Sequence, residues 1–288
     1  LKGTALAYSV YDQPAQRQRA DSDLLVAKSD IEAARAALAA AGFARPEADA
    51  QASGALQESW TVVEAGFHHT IDLHWAVFNT PRLAAVLPAE ACLAAAVPLP
   101  ALAPTARMLE PAQFLLHLCV HRNLHRTAPY FSGGRAWFGA DRLIWAKDIA
   151  LLAARFDEPR WRRFIDLAGE SGIGTAMAEA LRFAANAGGS KVAGDVLAAL
   201  ERQRPGPTAA YLLRSGRRRR ALANWLAEPG WRARLRRLRA LAAPPDAALR
   251  RRYPGLEQAP RLLLITRRLA DFLGLGRATD GTASDERR

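Results

Sequence analysis

With 288 residues, half of them apolar, the chain is long enough to bury one large core or two modest ones. Lys and Arg total 40 against 28 Asp and Glu, a net charge of +12, and two cysteines exclude both a disulfide framework and a four-ligand zinc motif. No apolar run reaches the length of a bilayer span and no signal peptide is visible, so the chain reads as cytoplasmic, with Cys92 and Cys119 as buried thiols in a reducing compartment.

The chain opens on Leu1-Lys2-Gly3-Thr4. A glycine between the end of a strand and the helical run Thr4 to Tyr8 would let backbone N–H groups approach phosphate at the positive end of the helix. Next comes Arg19-Ala20-Asp21-Ser22-Asp23-Leu24-Leu25-Val26. Strand residues two apart face the same side, so Asp21 and Asp23 project together while Ser22 and Leu24 point away. Two hard carboxylates on one edge suit Mg²⁺ or Mn²⁺, completed by phosphate and water. Ser29-Asp30-Ile31-Glu32 then starts a helix that Gly42 ends, with Ile31, Ala34, Leu38 and Ala41 on one face and Phe43 as a C-terminal hydrophobic contact.

After a polar loop over residues 44–54, Thr61 to Ala65 and Thr70 to Val77 are β-rich runs separated by Gly66-Phe67-His68-His69, which reads as a hairpin. Alternation puts Ile71, Leu73 and Trp75 toward the core and leaves Asp72 and His74 on the opposite face. If this strand lies beside the first, Asp72 supplies a third carboxylate and allows a second metal.

Beyond residue 81 strand signals nearly vanish. Helices are expected from Glu110-Pro111 through Leu124, and over residues 141–155, 158–169, 174–187, 192–202, 208–213, 218–227, 231–242 and 259–272. His117, His121 and His125 recur every four residues and share one helical face. They lack the Glu of a zinc-protease motif, so they read either as a polar wall of a cleft, with His121 and Arg122 near a nucleotide or acceptor, or as histidines of a helix–helix interface. Asp148 beside Lys147 reads as functional or as a surface ion pair, and Phe131 to Arg135 as a mobile loop between helices. The late arginines, including Arg217 to Arg220 and Arg250 to Arg252, fit a solvated face, an acidic partner or RNA. Residues 276–288 are polar and are expected to be a disordered tail.

Leu-Lys-Gly-x-Ala-Leu, Arg-x-Asp-Ser-Asp-Leu-Leu-Val, Ile-Asp-Leu-His-Trp and the downstream His-x-x-x-His together resemble the uncharacterised bacterial nucleotidyltransferase family. More broadly, they are similar to the nucleotidyltransferase fold of DNA polymerase β. The likeness is strong over the first half and looser through Asp141 to Ala150 and Arg252-Tyr253-Pro254. It implies an α+β protein, with a small mixed-sheet catalytic domain at 1–80 and a larger all-helical domain at 81–275. It also implies an N-terminal lead-in, absent here because the sequence opens with Leu1 at the glycine motif.

The activity implied is metal-dependent transfer of a nucleoside monophosphate from an NTP to a hydroxyl on a small molecule or peptide. Asp21, Asp23 and Asp72 would be the catalytic and metal-binding residues. Lys2, Gly3, Thr4, Arg19 and His121 would contact the nucleotide. The competing readings are a non-catalytic nucleotide-binding protein and an RNA-directed transferase or toxin.

Overall fold

Three strands build the sheet that carries the acidic motifs: β1 (Ser22–Leu25), β2 (Gln57–Glu64) and β3 (Phe67–His74), in the order β1-β3-β2. The computed structural model describes residues 1–45, 56–126, 130–132, 135–137, 141–189, 191–213, 217–242, 246, 249, 250, 253, 256 and 258–273. The tail expected at 276–288 lies outside the described residues, as do Arg252 and Pro254.

β1 runs parallel to β3 with Asp23 opposite Asp72, and β2 runs antiparallel to β3. The hairpin is tighter than the sequence suggests. Its turn is Ala65 and Gly66, both at positive φ (49° and 80°), and Phe67 to His69 pair back onto Glu64 to Val62 instead of looping. Two consecutive positive φ values match the turn whose twist suits adjacent strands.

α2 (Ile31–Ala40) covers one face of the sheet. Gly42 adopts φ 83°; its N–H donates to Ala39 O at 3.0 Å and that of Phe43 donates to Leu38 O at 3.0 Å. This paired arrangement satisfies the last carbonyls and folds Phe43 onto the helix. Leu38, Trp60 and Leu73 form the small core beneath, flanked by Val26, Ala34, Phe43 and Ile71. Trp75, expected in the core, sits just past the end of β3 and is half-buried. The buried Glu58 carboxylate locks α2 to β2, accepting from Arg35 at 2.9 and 2.8 Å and from Trp60 Nε1 at 3.0 Å.

The larger core begins with α1 (Lys2–Ser9), which contributes Ala5 and Leu6 alongside Val77 and Phe78. After the short α3 (Ala89–Ala94), the central helix is α4 (Pro111–His125). Glu110 caps it by accepting from the N–H groups of Ala112 and Gln113 at 3.0 and 3.1 Å, and Pro111 takes the first helical position, where no N–H partner is needed. Around it come α5 (Leu143–Ala153), α6 (Glu158–Glu170), α7 (Gly174–Gly188), α8 (Gly194–Arg202), α9 (Pro207–Leu213) and α10 (Arg217–Ala227). Two short antiparallel ribbons interrupt the helices: β4 (Val97–Pro98) with β5 (Arg107–Met108), and β6 (Tyr130–Ser132) with β7 (Arg135–Trp137). The second ribbon occupies the segment expected to be a loop; its Gly133 and Gly134 lie outside the described residues.

Cys92 and Cys119 are buried free thiols, and burial pushes the Cys92 thiol up to about 12. Some of the basic excess is structural. Arg122, fully buried, donates to Asp141 at 2.8 Å, pairs with Glu179 and lies over the Phe183 ring, while Arg220 donates to the carbonyls of Tyr211 and Leu124. The chain divides into two compact units, Leu1–Pro46 with Ala55–Ala227, and Glu47–Gly54 with Glu228–Arg288. The second unit contains α11 (Gly230–Ala242), α12 (Arg261–Leu273) and a small core of Leu249, Tyr253 and Leu264. No helix among the described residues is long and apolar enough to cross a membrane.

Candidate metal centre

The parallel pairing of β1 and β3 creates the centre. Because Asp23 and Asp72 are register partners and side chains alternate along a strand, Asp23, Asp72 and His74 emerge on one face of the sheet, opposite the face covered by α2. Their ligand atoms all lie within 4.8 Å of one another. Asp23 and His74 are buried and Asp72 is half-buried.

Each carboxylate has a supporting partner. Asp23 Oδ1 receives the Lys2 ammonium at 2.9 Å and His74 Nε2 at 3.0 Å. Burial alone would raise the Asp23 carboxyl, but the His74 hydrogen bond and the Lys2 charge outweigh it and hold the group well below the usual carboxylate range. Asp72 Oδ1 accepts from Ser59 Oγ at 2.6 Å, which fixes its rotamer across the β2–β3 pair. Two carboxylates and one imidazole, converging at a partly buried point, are a donor set that fits a divalent cation.

Asp21 stands apart from this group. It precedes β1, is half-buried, and lines an open cleft of about 1110 Å³ together with Arg19, Phe43, His68, His69 and Thr70. Burial, and then the neighbouring Asp23 and Asp72 carboxylates, raise its pKa, with Lys2 opposing. Arg19 is exposed on the wall of the same cleft and makes no ion pair among the described residues.

The glycine motif is placed differently from expectation. Gly3 lies inside the first turn of α1 rather than in a turn before it, because the helix already begins at Lys2. A Cβ at Gly3 would stand 3.4 Å from Arg19 Cβ, so the glycine admits the incoming Arg17–Arg19 segment. Thr4 Oγ1 is 2.8 Å from Ser22 Oγ, tying α1 to β1. Lys2 therefore faces Asp23 directly.

α4 approaches the same region. His117 is 2% exposed, stacks on Phe78 with ring centroids 5.2 Å apart, and neither of its ring nitrogens has a hydrogen-bond partner. Burial, reinforced by the Lys2 charge, keeps it neutral. His121 is half-buried between His125 and the edge of Trp145, at centroid distances of 4.3 and 5.9 Å, and it feels the charges of Lys2 and Asp23. Asp148 pairs with neither Lys147 nor solvent. It accepts from Arg17 Nε at 2.7 Å and from the Tyr11 hydroxyl at 2.8 Å, anchoring the segment that leads to Asp21.

Sequence reasoning placed His74 on the Asp72 face but not among the candidate ligands, and it missed Ser59, Ser22 and the Lys2–Asp23 pair. Period-two alternation was the one available signal for His74; the others depend on strand register. A family model described as "Uncharacterised nucleotidyltransferase" matches residues 1–188. No curated protein and no solved structure matches the chain.

Proposed function

Because the chain belongs to the uncharacterised nucleotidyltransferase family, and so is an enzyme of nucleotidyl transfer, we propose that its acidic centre transfers a nucleoside monophosphate from an NTP to a hydroxyl-bearing acceptor. The observation that carries this reading is the convergence of Asp23, Asp72 and His74 at the mouth of α1, beside a cleft lined by Asp21 and Arg19. The polymerase-β-like lineage, a catalytic division at 1–80 and a cytoplasmic location belong to the same proposal.

A divalent cation held by Asp23, Asp72 and His74 would neutralise charge on the phosphates. The chain's own residues supply the rest. Lys2 and Arg19 contact the triphosphate, aided by the N-terminal turn of α1, where Gly3 and Thr4 present backbone N–H groups. His121 is assigned to the nucleotide side through α4. Asp21, whose raised pKa suits a base, takes the proton of the acceptor hydroxyl in the cleft. The acceptor oxygen then bonds to the α-phosphorus as the bond to the β-phosphate oxygen breaks, and pyrophosphate leaves. The cleft volume admits a small molecule or a short peptide segment.

Calorimetric titration with ATP and with GTP, each with and without divalent cation, tests the site against Asp72→Asn. Cation-dependent binding should disappear in a folded variant, and transfer should fall at least about a hundredfold. Full transfer by Asp72→Asn would reject the assignment.

A further inference from the structure

A carboxylate pair read from the Asp-x-Asp motif alone calls for an all-oxygen site. The folded chain brings together a different set, with His74 in it and Asp21 beside it. That difference has chemical consequences. Imidazole nitrogen is a weak ligand for Mg²⁺, which prefers oxygen donors and near-ideal octahedral geometry. It is a strong one for first-row transition ions, whose affinity rises from Mn²⁺ to Cu²⁺ and falls back at Zn²⁺.

Burial acts in the same direction. Asp23 and His74 are only 4% and 5% exposed, so an ion bound between them must surrender much of its water shell. Mg²⁺ gives up water reluctantly. The His74 ring is held in place for ligation, since residues 72 and 74 share a face of β3 and the Asp23 register partner lies opposite Asp72. Both the Lys2 and His74 contacts fall on Oδ1 of Asp23, which leaves Oδ2 available to an ion. Of the two His74 ring nitrogens, Nδ1 is buried without a partner and Nε2 meets only Asp23 Oδ1, a carboxylate of the same centre, so no group outside the centre holds the imidazole.

We propose that His74 is a direct metal ligand, and that the centre is built for a first-row transition ion, Mn²⁺ or a later member of the series, in preference to Mg²⁺. This rests on the reading of the centre as a cation site held in part by His74, and it adds the identity class of the ion.

Mn²⁺ itself is the probe. The metal-free chain, labelled with ¹⁵N-histidine or unlabelled, is titrated with Mn²⁺ and read by electron spin-echo envelope modulation, which detects nitrogen bonded to the ion. The expected result is one Mn²⁺ whose nitrogen modulation changes with the label and vanishes in His74→Gln, and which Mg²⁺ displaces only at about hundredfold excess or more. Mn²⁺ bound in an Asp72-dependent way but without histidine nitrogen coupling, or displaced by equimolar Mg²⁺, overturns this inference and leaves the cation site intact. Nitrogen coupling that survives in His74→Gln overturns His74 as the ligand. Mn²⁺ that does not bind, or binds equally to Asp72→Asn, removes the cation site and this inference together. Should His74→Gln fail to fold, the isotope-labelled wild type and the Mg²⁺ competition still decide the outcome.

Discussion

Asp148 illustrates how one buried carboxylate serves a site it never touches. Its side chain is 3% exposed, and burial raises its pKa against the pull of Arg17 and the Tyr11 hydroxyl. Arg17 answers with a two-pronged contact, Nε to Oδ1 at 2.7 Å and a terminal nitrogen to Oδ2 at 2.7 Å, and is itself 11% exposed. Such a pair adds modest net stability when intact but is costly to halve, because the surviving charge stays buried. Asp148→Ala should therefore destabilise the protein by about 3–5 kcal/mol. Asp148→Ala combined with Arg17→Leu should cost clearly less than the sum of the single changes. Urea midpoints of the three variants check this, and strict additivity would mean that the pair is not coupled. In the folded fraction, either single change should also lower transfer, since the freed segment carries Arg19 and Asp21 into the cleft.

At the scale of elements, strands and helices were largely legible, because each advertises a period. Alternation located β1 and β3 and set Asp72 and His74 on one face; Glu110-Pro111 announced the start of α4, and Gly42-Phe43 the end of α2. Features that depend on partners distant in sequence were not legible. Nothing near Asp148 points to Arg17, 131 residues away, and nothing near Lys2 points to Asp23. Gly3 was misplaced because a glycine admitting a neighbouring segment and a glycine making a turn look alike in one dimension. The hairpin turn was misjudged for a similar reason. Alanine at positive φ is unfavourable for an L-residue by about 1 kcal/mol, so Ala65 gave no turn signal. The same fact yields a prediction. Asn tolerates this conformation and is preferred before Gly in such turns, so Ala65→Asn should stabilise the protein by about 0.5–1 kcal/mol. A differential scan should show a modest rise in melting temperature, whereas Gly66→Ala, at φ 80°, should lower it. An unchanged or lowered midpoint in Ala65→Asn would mean that the turn does not limit the sheet.

For the whole molecule, the buried ionisable groups around the candidate metal centre make stability depend on pH in a definite order. His117 is held neutral in the folded protein by burial, while the unfolded chain takes up its proton near the ordinary value of 6.5. The unfolded state then binds more protons, so stability falls as pH drops below 6.5, by up to about 1.4 kcal/mol per pH unit for this residue. Asp23, whose carboxyl is depressed by His74 and Lys2 despite burial, has the same sign but acts later. Its contribution is complete above the ordinary carboxylate range and is lost only as pH falls through and below it. Asp21 and Asp148 are raised by burial and oppose that later loss, because the folded state accepts their protons first. Between pH 6.5 and 5.5 the unfolded chain takes up histidine protons, and His121 and His125, whose pKa values burial also lowers, add to the loss from His117 with the same sign. His117→Leu removes the share of this loss that belongs to His117 and also removes two ring nitrogens without partners. Urea unfolding at pH 7.5, 6.5 and 5.5 should therefore show the wild type losing about 1 kcal/mol more than the variant over the last step. Parallel losses in both proteins would mean that His117 takes up its proton in the folded state, where a buried cation beside Lys2 would need an acceptor that the structure does not give it.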